Sequence, residues 1–147
     1  MTTATVVQLK EKQTCTNREL ADLLVGLYGV QELKGLKFAI QISKNIKMLK
    51  DELQHIDDAT KPTAEFLELA AKVNTLQEKN EADSREKIEA LEEENKELVD
   101  ARKVQIEEFN SLLEETLEIE LYKISEEDLP ENITGKQLSD IQLIIKE

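Results

Sequence analysis

Three groups of residues carry side chains that could do chemistry. Cys15 is the only thiol; His55 stands close to Asp57 and Asp58; and residues 81–100 hold nine acidic groups against three basic ones. A cysteine acts as a nucleophile only when a base or a positive charge holds it as thiolate. Cys15 has no such neighbour in sequence, and His55 could reach it only through folding. An imidazole beside two carboxylates suggests a metal site. Groups so closely spaced on a helix point in different directions, and the chain has no second histidine. A pair of glutamates could serve as acid and base, but on amphipathic helices such residues form the solvated face. The glycines are not spaced as a phosphate loop, and basic residues are not interleaved with aromatics as in single-strand binders. The residues therefore predict a protein without catalytic, cofactor or metal residues.

The acidic stretch is then a candidate surface. Net charge is −13, and its distribution is uneven: residues 1–60 hold eight basic and eight acidic groups, residues 61–147 eleven and twenty-four. Such a chain repels phosphate backbones and anionic membranes, which predicts neither nucleic acid nor membrane as partner. Its complement is a basic protein patch. The candidate interaction residues are Glu89, Glu92, Glu93, Glu94 and Glu97, joined by Ile141, Ile144 and Ile145 of a strongly apolar tail. One cysteine permits no internal disulfide. The start has no apolar run of signal-peptide length, and no window reaches the roughly 18 apolar residues of a membrane helix. A cytoplasmic protein is expected.

The elements that would position these groups centre on Lys61–Thr116, which has no glycine and only Pro62. Phe66, Leu69, Val73 and Leu76 make one helical stripe, and Ile88, Leu91, Leu98, Ile106, Phe109 and Leu113 a second. Between them Gln77–Lys87 offers only Ala82 as an apolar residue, so Asn80–Ser84 reads as a hairpin tip; a continuous exposed helix is the alternative. Asn95 and Arg102 interrupt the second stripe, as polar residues that fix register do. Upstream, Phe38, Ile42, Ile46, Leu49, Leu53 and Ile56 extend the first stripe, with Lys37, Lys44 and Lys47 on the other side as a solvated face. Thr60 is expected to cap the next helix, with Pro62 in its first turn. The antiparallel hairpin thus covers 36–116.

The ends of the chain read differently. Thr3–Lys12 alternates as a strand. Thr16-Asn17-Arg18-Glu19 has the form of a capping box for a short helix bearing Leu20, Leu23, Leu24 and Leu27, ending near Gly29. Leu117, Ile119, Leu121 and Ile124 mark a second strand, followed by an acidic turn at Pro130 and a short helix capped by Thr134. Two strands from the two ends should pair. The predicted fold is mainly α: a single domain over 1–147, with a long coiled-coil-like antiparallel helical hairpin, a small two-stranded β element and a short C-terminal helix.

The ordered pieces are Asn17-Arg18-Glu19-Leu20, Leu36-Lys37-Phe38-Ala39-Ile40, Lys44-Asn45-Ile46-Lys47-Met48-Leu49, Phe109-Asn110, Glu118-Ile119-Glu120-Leu121-Tyr122-Lys123-Ile124 and Asp128-Leu129. In that order they resemble a family of small uncharacterised bacteriophage proteins, a domain of unknown function. The resemblance covers nearly the whole chain, least well from Asp58 to Asp100. It implies a phage origin, in the cytoplasm of the infected host or in the virion, and it supplies no catalytic residues. Two functions follow as expectations. One is a structural or virion-assembly protein acting through helix contacts with itself or with other phage proteins, a homo-oligomer among them. The other is an inhibitor or adaptor that binds a host protein through the acidic hairpin.

Overall fold

The computed structural model describes residues 10–146. In chain order the elements are β1 (Lys10–Thr16), α1 (Asn17–Val30), α2 (Leu36–Thr60), α3 (Ala64–Lys79), α4 (Ser84–Glu94), α5 (Lys96–Glu114), β2 (Thr116–Tyr122) and α6 (Gly135–Asp140), with short 3-10 turns at Glu126–Asp128 and Gln142–Ile144. They divide into two compact units, Met1–His55 with Leu112–Glu147, and Ile56–Ser111. The fold is mainly α with a small two-stranded antiparallel sheet, as the sequence pattern requires, and Phe38, Ile42 and Leu49 of α2 are buried among residues from the ends of the chain.

In the first unit β1 and β2 pair antiparallel, Lys10 opposite Tyr122 and Thr16 opposite Thr116. Alternation sets the faces. Cys15, Ile119 and Leu121 are buried, while Lys10 and Lys12 reach Glu120 (3.4 Å) and Glu118 (3.5 Å) on the outside. The expected strand ended at Lys12; the observed one runs on to Thr16. Its Thr3–Leu9 part lies outside the described residues. The extension escaped the sequence pattern because β2 supplies the apolar partners, and Gln13 on the inner face is engaged by Lys123 rather than by apolar groups. Beyond β2, Ile124 forms a parallel bridge with Ile145.

Helix α1 starts as the sequence requires. The Glu19 N–H donates to Thr16 Oγ1 at 3.1 Å, and the Thr16 N–H donates to Glu19 Oε1 at 3.0 Å. Its buried stripe is Leu20, Leu23, Gly26, Leu27 and Val30, and the helix continues one residue past Gly29. Thr134 and Gln137 form the same box at α6. With Ile141 and Ile144 fully buried, these stripes close a core that also takes in Phe38, Ile42, Leu49, Leu121 and Ile124. Each such side chain contributes roughly 1.5–3 kcal/mol on burial.

In the second unit the break after α2 falls where Pro62 stands, but Thr63 is the cap: its hydroxyl accepts the Phe66 N–H at 3.1 Å. Thr60, expected as the cap, instead donates its hydroxyl back to Asp57 O at 3.1 Å. Proline therefore precedes the cap instead of occupying the first turn. The hairpin tip lies where expected. Asn80 ends α3 in the left-handed region (φ 46°), which asparagine tolerates better than most residues. Asp83 precedes α4 without a side-chain cap; Ser84 Oγ accepts the Glu81 N–H at 2.9 Å within the turn.

Gly26 has a role that helix propensity does not reveal. A Cβ there would lie 2.6 Å from the Asp140 carbonyl oxygen and 2.9 Å from Asp140 Cβ, whereas a Cβ at Gly29 meets nothing within 4 Å. Gly26→Ala should therefore destabilise by about 1–3 kcal/mol despite the better helix former. Gly29→Ala should be neutral or stabilise by about 0.5–1 kcal/mol. Urea unfolding of both variants decides it, and equal shifts of the same sign would mean that α1 and α6 do not approach this closely.

Candidate functional site

The acidic residues of the second unit are arranged around a helix interruption. Asn95 has φ −112° and ψ 28°; its side-chain amide and its backbone N–H both donate to Leu91 O, at 2.9 and 3.1 Å. Its own carbonyl accepts the Val99 N–H at 3.0 Å, which begins α5. Asparagine competes for backbone groups in this way, and the helix divides there into α4 and α5. Facing the junction, α3 contributes Glu65, Glu68, Leu69 and Lys72 to an open groove of about 1000 Å³. Its other wall carries Glu93, Glu94, Glu97 and Asp100, with Lys96. Six carboxylates against two ammonium groups leave four negative charges. Among the described residues none of the six is within ion-pair distance of a lysine or arginine. The field of these charges is directed at solvent and falls off over about 8–10 Å at physiological salt.

Of the five glutamates predicted as a surface, Glu93, Glu94 and Glu97 line this groove. Glu92 is exposed outside it, and Glu89 pairs with Arg85 at 3.4 Å. Glu65 and Glu68 were missed because the sequence reading weighed only the run 81–100; the hairpin pairing itself was the signal that could have found them. The other predicted set is corrected. Ile141 and Ile144 are completely buried and Ile145 nearly so, in the core of the first unit. An apolar tail finds its own chain's strands and helix α1 first, so these isoleucines offer no surface.

Arg102, read as a register-setting interruption, also has a local partner set. Its guanidinium donates to Thr60 O at 2.7 Å and to Gln105 Oε1 at 2.8 Å, and lies 5.8 Å from the Phe66 ring centroid. Gln105 in turn donates to Ala59 O and Lys61 O, at 2.8 and 3.0 Å. Together they satisfy carbonyls that the end of α2 leaves without intrahelical donors. Of the lysines read as a solvated face, Lys44 stands 5.3 Å from the Tyr122 ring centroid and Lys37 faces Asp128 at 4.0 Å.

His55 is exposed, and Asp58 pairs with Lys61 at 3.3 Å. Among the described residues no group of three or more His, Cys, Asp or Glu is placed to hold a metal ion. No helix of the described residues is long and apolar enough to cross a membrane. No family model, no curated protein and no solved structure matches this chain.

Cys15 is buried at the end of β1. Burial pushes its thiol above the usual range, the Glu19 carboxylate adds to the rise, and Lys123 partly offsets it. The folded chain thus favours the neutral thiol. That contribution is intact below the ordinary thiol range and is lost as pH rises through the higher folded value. The native protein should resist a thiol-specific reagent at neutral pH and release one reactive thiol on unfolding. Its alkaline loss of stability should be steeper than that of Cys15→Ala. Rapid labelling of the folded protein would contradict this placement.

Proposed function

We propose that this chain is a non-enzymatic bacteriophage structural or virion-assembly protein that works through helix-mediated protein–protein contact, with self-association as its first step. The observation that carries the reading is the second unit's incomplete interior. Of its stripe residues only Ile56 and Leu69 are buried; Phe66, Val73, Leu76, Ile88, Leu91, Leu98 and Phe109 are half-buried. Leu67, Val104 and Ile106 are exposed at 54%, 52% and 43%. Apolar helix surface left in this state is covered by association. The phage origin rests on the ordered motifs that run from Asn17 to Leu129, and the place of action is then the infected cell's cytoplasm or the virion.

The mass in solution tests it. A multiple of 16.8 kDa is expected. Leu67→Glu with Val104→Glu should lower that mass while leaving the melting temperature nearly unchanged, since both side chains already meet water. Leu49→Asp should unfold the first unit, because it places a charge at a fully buried position. A monomer at every concentration would remove the reading.

The acidic groove favours a second reading, an inhibitor or adaptor that binds a basic patch on a host protein. Joint replacement of Glu93, Glu94 and Glu97 by Gln should then weaken capture of that partner, and added salt should weaken capture by the parent chain. Capture indifferent to both changes would exclude it.

A further inference from the structure

Lys123 follows β2 and turns inward, with 8% of its surface exposed. Its ammonium donates to Gln13 Oε1 at 2.8 Å and to the backbone carbonyl of Leu143. Both acceptors are neutral, and no carboxylate among the described residues lies within ion-pair distance of it. A buried charge without a counter-charge is costly, and an ammonium has a third N–H to give. Lys123 also lines a cavity of about 320 Å³, together with Glu11, Gln142, Leu143, Ile145 and Lys146. The charges at that cavity are two lysines against one glutamate, a balance of one positive. Leu143 and Ile145 add apolar wall.

We propose that this cavity binds a small aliphatic monocarboxylate, its carboxylate on the Lys123 ammonium and its short chain against Leu143 and Ile145. One negative charge completes the balance. A phosphate dianion would exceed it and would meet the Glu11 carboxylate, and a neutral amide would leave the buried charge uncompensated.

Titration of the full chain with butyrate, followed by backbone amide resonances, tests the assignment, with butyramide and inorganic phosphate as the contrasting probes. Butyrate should shift Gln13, Leu143 and Lys146 saturably, and the two contrasting probes should not. Lys123→Met should weaken butyrate at least roughly tenfold, the loss of one charge-assisted hydrogen bond. Glu11→Gln, an exposed change that keeps the fold, should tighten it a few-fold by removing a like charge from the rim. Four outcomes overturn the proposal: no saturable shift with butyrate, equal binding of butyramide, tighter binding of phosphate, or unchanged butyrate affinity in a folded Lys123→Met. Should Lys123→Met not fold, the Glu11→Gln arm decides. Unchanged or weaker butyrate binding there would overturn the proposal, because a carboxylate held on Lys123 must feel the loss of the like charge at Glu11.

Discussion

The first unit depends on one side-chain amide that takes the place of a strand. Two paired strands are marginal by themselves, and the outer edge of β2 leaves backbone groups to be satisfied. Asn45, fully buried on α2, meets that edge. Its Nδ2 donates to Tyr122 O at 2.9 Å, and the Tyr122 N–H donates to its Oδ1 at 3.0 Å. Tyr122 therefore turns both backbone groups away from β1, as the non-hydrogen-bonded residues of an antiparallel pair do. Two residues on, Ile124 turns the same way, and its N–H and C=O meet Ile144 O at 2.7 Å and the Lys146 N–H at 2.8 Å. Gln41 adds a bond to Lys123 O at 3.2 Å. An apolar residue at position 45 would fill the space and leave two buried backbone groups unpaired, at about 1–3 kcal/mol each. The isoleucines and leucines supply the driving force; Asn45 decides where along α2 the strand must lie.

The same principle closes helix ends elsewhere. Asn17, buried at the start of α1, donates its amide to Leu112 O at 2.8 Å and its backbone N–H to Glu115 O at 3.1 Å, and Arg18 pairs with Glu114 at 2.7 Å. These groups join the start of α1 to the end of α5. Arg102 and Gln105 do the corresponding work at the end of α2. In each case a polar residue inside an otherwise apolar stripe marks a place where backbone carbonyls or amides need a partner from far along the chain. Their worth lies less in net bond energy than in the penalty avoided, since an unpaired buried backbone group costs more than a made bond contributes.

That distinction explains how much could be read beforehand. Local signals were legible. The Thr16 and Thr134 caps, the hairpin tip at Asn80 and the alternation through Leu117–Leu121 are all decided within a few residues of sequence. The misplaced features depend on distant partners. Thr60 and Thr63 are both plausible caps, and only the demand of Arg102 and Gln105 on the carbonyls of 59–61 leaves the capping to Thr63. Asn45 was hidden beside Ile46, since periodicity ranks isoleucine as the inner residue. The need for glycine at position 26 comes from Asp140, far along the chain, and nothing near Gly26 in sequence announces it. Of the surface, the glutamates at 93, 94 and 97 were legible as charge, but the wall provided by Glu65 and Glu68 requires the hairpin. The isoleucines at 141, 144 and 145 were legible as apolar and not as occupied.

The two units bury their apolar stripes to different extents. Similar stripes of leucine, isoleucine and phenylalanine give a closed core in one and half-buried seams in the other. The first draws its core from five elements that converge from both ends of the chain. The second has only a helical hairpin and the end of α2 with which to cover its apolar residues, and its ends are secured by Thr63, Asn80, Arg102 and Gln105. A body of that size buries little more than about 60% of its unfolded surface, and a two-layer hairpin has no third element to cover the remaining face. Caps and clamps hold its helices in shape without removing Leu67 and Val104 from water.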